Sequence, residues 1–266
     1  MTLPQAPRVV ITGAGSGFGR ALAVYLAPRR ANFVLSDVDE EGCKETARLT
    51  LAAGATSAKT LRCDVSKLED VQALEAACDG DVDLVVNNAG VSSGGNIGEQ
   101  PIEDWRWTLD IDLYGVIHGC HVFVPRLRRQ GHGHVLNVAS AAGLLTAPSM
   151  GAYNVAKAGV IALSETLAAE VSGTKLGVTV LCPTFFKTNI VKGGRFANEK
   201  ERAFGQKMVD RGKTAEEIAA AAIRSCEKNE LYCVPMADGR WFWRLKRAAP
   251  GSYRTLVGII GARMKP

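Results

Sequence analysis

Short apolar runs alternate along this chain with longer amphipathic stretches. Arg8 to Ile11, Asn32 to Ser36, Lys59 to Cys63, Asp83 to Val86, Val135 to Ala139, Leu176 to Cys182 and Leu231 to Val234 each span four to seven residues. Most stop at Gly, Asn, Asp, Ser or Pro, and runs this short predict buried parallel strands. Between them, apolar positions three and four apart predict helices over Arg20 to about Arg29, Glu40 to Ala53, Leu68 to Ala77, Ile102 to Leu109, Asp112 to about Arg129 and Tyr153 to about Glu170. Thr214, with Glu217 three residues on, predicts a further helix start through a capping box. Strands that alternate with helices in this way fold as a right-handed, doubly wound parallel sheet of about seven strands, with helices on both faces. No repeat, low-complexity tract or linker interrupts the pattern, so residues 1–266 read as a single domain. Two parts are less regular. Residues 184–213 have poor periodicity and read as a mobile substrate lid with a short helix. Residues 240–266 form a tail that interleaves aromatic with basic side chains.

The first strand runs directly into Thr12-Gly13-Ala14-Gly15-Ser16-Gly17-Phe18-Gly19, and a helix follows. This order makes a Rossmann-type dinucleotide site, because glycines let the backbone approach a pyrophosphate and the helix start offers free N–H groups. Asp37 ends the second strand, about two dozen residues after Gly13. A carboxylate there accepts hydrogen bonds from the adenosine ribose and repels the extra phosphate of NADP. Neither the loop before Gly19 nor Val38 supplies a compensating cation, and Arg20 lies further along the helix. The expected cofactor is therefore NAD, with NADP less favoured. Asp64 and Val65 follow the third strand, where a carboxylate meets an adenine amino group, and the small residues of Asn87-Asn88-Ala89-Gly90 follow the fourth.

The fifth strand ends at Ser140, and after a small-residue loop Tyr153 and Lys157 sit four residues apart on one helix face. A neighbouring ammonium favours tyrosinate, which suits a phenol that exchanges a proton near neutral pH. Leu144, Leu145, Met150, Phe185, Phe186 and Trp241 suggest an apolar pocket for a bulky, lipophilic small molecule.

Composition leaves this picture standing and removes others. With 47% hydrophobic and 22% charged residues and a net charge of +5, the chain reads as a soluble globular protein without a nucleic-acid footprint. Seven cysteines without CxxC spacing read as reduced core thiols and point to the cytoplasm. The four histidines, at 118, 121, 132 and 134, lack a further ligand for a metal, and none is expected. Met1 to Arg8 does not read as a signal peptide, and no apolar run reaches the roughly 18 residues of a membrane span. The tail could lie on a membrane surface, but packing against the lid or a partner subunit is the favoured reading.

Taken together, the motifs resemble the compact, single-domain branch of the short-chain dehydrogenase/reductase family over residues 7 to 240. Thr12 to Gly19 is similar to its TGxxxGxG loop, Asn87 to Gly90 to its NNAG, Asp64-Val65 to its adenine-contacting pair, and Tyr153 to Lys157 to its YxxxK. The resemblance implies hydride transfer between nicotinamide and an alcohol or carbonyl carbon, and a homodimer or homotetramer. It also implies catalytic roles for Ser140, Tyr153 and Lys157, and cofactor contacts at Gly13, Ser16, Gly17, Phe18, Gly19, Asp37, Asp64, Val65, Asn88, Ala89, Gly90, Tyr153, Lys157, Pro183 and Thr188. Two positions depart from it: Asp112 stands where the family has a proton-relaying asparagine, and Thr184 where it has glycine. The expectation is an NAD-dependent dehydrogenase of a hydrophobic secondary alcohol, with Asp112 as a fourth member of the catalytic set. An NADPH-dependent carbonyl or 3-oxoacyl-thioester reductase is the alternative, and a non-catalytic NAD-sensing protein the alternative of a different class.

Overall fold

A computed structural model describes residues 3–264; Met1, Thr2 and the last two residues of the expected tail, Lys265 and Pro266, lie outside the described residues. In chain order the strands and helices are β1 (Arg8–Thr12), α1 (Gly17–Leu26), β2 (Asn32–Asp37), α2 (Glu40–Ala52), β3 (Ser57–Arg62), α3 (Leu68–Ala76), β4 (Leu84–Asn87), β5 (Ser93–Gly94), α4 (Ile102–Leu109), α5 (Gly115–Gln130) and β6 (Gly133–Val138). There follow α6 (Ala141–Leu145), α7 (Gly151–Glu170), β7 (Leu176–Leu181), β8 (Arg195–Phe196), α8 (Glu199–Asp210), α9 (Ala215–Glu227), β9 (Tyr232–Cys233), α10 (Ala237–Ala248) and α11 (Pro250–Met264).

Seven strands form one sheet in the order β3-β2-β1-β4-β6-β7-β9, and all its pairings are parallel. This is the expected Rossmann-type single domain. The chain moves outward from β1 to β3, then crosses back to β4 on the other side of β1. The carboxyl ends of β1 and β4 therefore flank the topological switch point, where ligands of such sheets bind. Apolar side chains cover both faces of the sheet. Leu22 and Leu26 of α1, Ala47 of α2 and Ile218 and Ala222 of α9 bury one face. Leu74 of α3, Phe123 and Leu127 of α5 and Val160 and Leu167 of α7 bury the other. Every residue of β4, β6 and β7 is buried, which explains why those runs do not alternate apolar positions with exposed polar ones. Among the described residues no helix is long and apolar enough to cross a membrane.

The structure departs from the sequence reading in four places. The two helices expected over 102–109 and 112–129 form one rod, because a π turn at Asp110–Tyr114 joins α4 to α5. The turn inserts a residue without a break in polarity, so it leaves no sequence signal. The loop expected after Ser140 contains the short helix α6. The irregular stretch 184–213 carries the 12-residue α8, and its β8 pairs in parallel with β5. Finally, the tail folds as two helices, α10 and α11.

Most buried polar groups of the sheet are paired, His134 Nδ1 being an exception. Asn87 donates to Asn137 Oδ1 at 2.8 Å, and Asn137 donates in turn to Ser164 Oγ at 3.0 Å, which links β4, β6 and α7. His134 Nε2 lies 2.9 Å from Thr179 Oγ1, and burial pushes its pKa down from 6.5 to about 3. A histidine held neutral in this way binds protons more readily in the unfolded chain. It costs nothing above its ordinary pKa and destabilises the fold as pH falls from about 6.5 toward 3. Urea unfolding free energies should therefore drop between pH 6.5 and 4, and the drop should be shallower in His134→Gln.

Candidate active site

The glycine loop is tied to the end of β4 by a hydroxyl that sequence reasoning overlooked. Thr12 Oγ1 accepts from the backbone N–H groups of Asn88 and Ala89 at 3.0 and 3.1 Å. Asn88 Nδ2 donates back to the carbonyls of Thr12 and Gly13 at 2.8 and 2.9 Å. The loop thus lies so close to β4 that a Cβ on Gly13 (φ +66°) would stand 2.6 Å from Ala89 Cα. Only glycine fits there. Ser16 precedes α1 with an exposed side chain and no capping bond, and Gly17 (φ +53°) faces Thr188, whose Cβ would be 3.5 Å from an added methyl. An open helix start, two positive-φ glycines and Thr188 together make a cradle that fits a dinucleotide's phosphates. Phe18 and Gly19 are buried behind it as the first turn of α1.

Asp37 points into this cradle. Its Oδ2 accepts from Gly15 N at 2.9 Å and its Oδ1 from Asp39 N at 3.0 Å. Arg20 is spent elsewhere: its guanidinium donates to the Gly15 and Gly42 carbonyls and to Thr46 Oγ1. Asp64 Oδ1 accepts from the N–H and hydroxyl of Ser66, at 3.1 and 2.7 Å, and Val65 is buried against Gly115. Pro183 closes the far side, and its carbonyl accepts from Ala141 N at 2.8 Å.

At the carboxyl end of β6, four side chains converge. Ser140 caps α6, accepting from Ala142 N at 3.1 Å; its hydroxyl donates to Pro183 O at 3.4 Å, and its polarity near Tyr153 favours the phenolate. Tyr153 and Lys157 lie one turn apart on α7, with Lys157 Nζ 5.5 Å from the phenol ring centre. Lys157 is only 3% exposed; it donates to Val138 O at 3.2 Å and stands 3.2 Å from Asp112 Oδ2. Asp112, at the π turn, is fully buried, and its Oδ1 accepts from Val91 N at 2.7 Å. A Cβ on Gly90 would come within 3.2 Å of Asp112 Oδ1 and 3.4 Å of Lys157 Nζ, so glycine leaves this pair open on the β4 side.

The charges compete. Burial pushes the Asp112 carboxyl up, and Lys157 and the Val91 N–H offset this only in part. Burial draws the Lys157 ammonium down, but Asp112 and Tyr153 outweigh it and hold the cation above its ordinary value. Burial also raises the Tyr153 phenol; Lys157 and Ser140 pull it down, while the Asp112 carboxylate pushes it further up. Lys157 therefore acts on Tyr153 in the expected direction, but burial outweighs it and the phenol lies above its ordinary value.

The expected apolar pocket is gathered only in part. Leu144 is buried and Leu145 and Met150 are half-buried beside the Ser140–Tyr153 segment, while Phe185 stays exposed. Phe186 instead packs edge-on against Phe18 at 6.2 Å, supporting the glycine loop from behind. Trp241 is 58% exposed and meets Phe242 edge-on, with ring centres 4.8 Å apart. Thr184 turns toward α10, with its hydroxyl 3.4 Å from Asp238 Oδ1 and its methyl facing Gly239.

A parallel sheet with a phosphate cradle at its switch point, and a tyrosine, a lysine and a serine at the neighbouring strand end, defines a nucleotide-dependent oxidoreductase site. The sequence model of the family described as short chain dehydrogenase matches residues 7–198. SadH of Mycobacterium tuberculosis (strain ATCC 25618 / H37Rv), a protein named as an oxidoreductase, is 34% identical over 265 residues, covering 97% of this chain and 96% of its own. A short-chain dehydrogenase/reductase from Burkholderia phymatum, solved in complex with NAD, superposes with a TM-score of 0.88 at 35% identity, over 93% of this chain and 95% of that one. A short-chain dehydrogenase from Sphingobium yanoikuyae, solved with NADPH, superposes at 0.77 with 26% identity, over 95% of each chain. The chain belongs to the short-chain dehydrogenase/reductase family and is an oxidoreductase of that family; the two solved relatives above hold NAD and NADPH respectively.

Two outcomes follow from the geometry. Gly13→Ala should lower the unfolding free energy by about 2 kcal/mol or more, since it adds both a backbone strain and an overlap; urea titration measures it. Asp112→Asn removes the negative charge that helps to raise the phenol, so the Tyr153 pKa should fall. Ultraviolet difference titration of tyrosinate, with Tyr153→Phe as the blank, reads that shift.

Proposed function

We propose that this protein is an NAD-dependent dehydrogenase that interconverts a hydrophobic secondary alcohol and its ketone. The observation that carries this reading is the buried Tyr153, held between the Ser140 hydroxyl and the Lys157 ammonium beside the phosphate cradle. NAD, when bound, supplies the acceptor for the hydride that leaves the carbinol carbon. Tyr153, as phenolate, takes the alcohol's hydroxyl proton, and it returns a proton to the oxygen in the reverse direction. Ser140 donates a hydrogen bond to the same oxygen and fixes its distance from the phenol. Lys157 stabilises the phenolate, and Asp112 keeps the ammonium charged and pointed. Gly13, Ser16, Gly17, Asp37, Asn88, Ala89, Gly90, Pro183 and Thr188 form the cofactor's bed.

NAD is preferred over NADP in this reading because Asp37 fills the place of a 2′-phosphate and the nearby Arg20 is engaged elsewhere. Arg20 already satisfies three acceptors, and Val38, next to Asp37, is exposed and uncharged. A lipophilic substrate is favoured by Leu144, Leu145, Met150 and the exposed Phe185, with residues 184–213 as the lid above them.

A panel of secondary alcohols and ketones, followed by the absorbance of NADH and NADPH, tests the assignment. Turnover should favour NAD, and Asp37→Ala should narrow or reverse that preference. Tyr153→Phe should lose about 10²–10⁴-fold in kcat while still binding NAD. Near-full turnover by Tyr153→Phe on a verified substrate would show that another group moves the proton.

A further inference from the structure

The segment from Ser140 to Tyr153 is the least self-supporting part of the site. Its helix, α6, has five residues and is too short to hold together by its own hydrogen bonds. Between α6 and α7 the chain takes positive φ at two residues that are not glycine, Thr146 (+53°) and Ser149 (+57°). Such conformations persist only where the surroundings impose them. The last carbonyls of a helix also lack partners within it.

Those partners come from about a hundred residues away. Lys246 Nζ, on α10, donates to Leu144 O at 2.7 Å and reaches Thr146 Oγ1 at 3.4 Å. The Tyr253 hydroxyl, on α11, donates to Leu145 O at 2.5 Å, and the Lys246 ammonium lies 5.8 Å from the Tyr253 ring centre. An ammonium at the carbonyl end of α6 also meets the favourable end of the helix dipole. Further along, a Cβ on Gly261 would stand 3.1 Å from Pro148 Cγ, and α10 meets Thr184 through Asp238 and Gly239. Tyr253 is buried although most of α11 around it is exposed, so the contact is specific to that residue. Partial burial lowers the Lys246 pKa, as expected of a cation turned inward.

We propose that the C-terminal arm, residues 237–264, is the outer wall of the substrate site, and that Lys246 and Tyr253 are positioning residues that set which alcohols the site accepts. Building on the dehydrogenase reading above, they fix the two carbonyls that end α6 and so hold Leu144, Leu145 and Met150 at the distance a bulky substrate needs. The contacts of both side chains end on Leu144, Leu145 and Thr146 and include none with the glycine cradle, so binding of the dinucleotide's phosphates should not depend on them.

The test compares wild type with Tyr253→Phe, Lys246→Met, Lys246→Arg and the Tyr253→Phe/Lys246→Met double variant. Hydrogen exchange, followed by mass spectrometry, should become at least about tenfold faster at residues 141–150 in the double variant. The glycine loop and β1 should keep their protection. With the best substrate of the alcohol panel, KM should rise about tenfold and kcat change less than threefold. Discrimination between bulky and small alcohols should fall by a similar factor. The NAD dissociation constant should not change, and Lys246→Arg should restore most of the loss. Unchanged exchange at 141–150 in the double variant overturns the proposal, as does a KM shift shared equally by all substrates and by NAD. Absence of turnover in the wild type would count against the dehydrogenase reading alone, because the exchange comparison still decides whether the arm holds the segment.

Discussion

A lysine ammonium cut off from water needs a counter-charge, and this requirement organises the active end of the molecule. Lys157 is 3% exposed, and the groups that receive it come from three separate segments: Asp112 from the helical rod, Val138 O from the end of β6, and Val91 N–H, through Asp112, from the chain after β4. Burying two opposite charges is costly unless their geometry is closely held. The pair therefore constrains the rod, the strand end and the loop to one another, and the orientation of Tyr153 one turn away follows from that. Gly90 belongs to the same constraint, because a side chain there would crowd both charges.

A second constraint works across the switch point. One hydroxyl, Thr12 Oγ1, receives two backbone N–H groups from the end of β4, while Asn88 answers with its amide. The bond set pulls two strand ends together, which makes glycine necessary at position 13 and leaves the start of α1 open. In the molecule, then, the glycine cradle and the Ser140–Tyr153–Lys157 cluster are built from the same pair of strand ends and the strand beside them.

Much of this was legible in the sequence, because it rests on local pattern. Seven short runs marked seven strands, although the third is only partly apolar and its strand β3, at the sheet edge, has no fully buried residue; the loop from Gly13 to Gly19 marked the cradle, and a spacing of four set Tyr153 beside Lys157. Asp37 was recognisable from its distance along the chain, and it does face Gly15. What stayed hidden depends on contacts between distant segments. Thr12 read only as the first residue of the glycine loop. Phe186 looked like a pocket residue, but packs on Phe18 because the chain after Pro183 turns back toward α1. The carbonyls of Leu144 and Leu145 gave no sign of where their donors would come from, since a backbone oxygen carries no residue identity.

The π turn at Asp110–Tyr114 has a consequence for the helix that contains it. Each residue advances an α-helix by about 100°, so one surplus residue turns everything beyond it by nearly a third of a revolution. The rod therefore behaves like two gears on one shaft, cut out of phase. The teeth of α4 engage α7, those of α5 engage α3 and the sheet, and Asp112 sits at the offset between them. A homologue that lost the extra residue would have to choose which gear to disengage, or move its counter-charge one position along and find the lysine again.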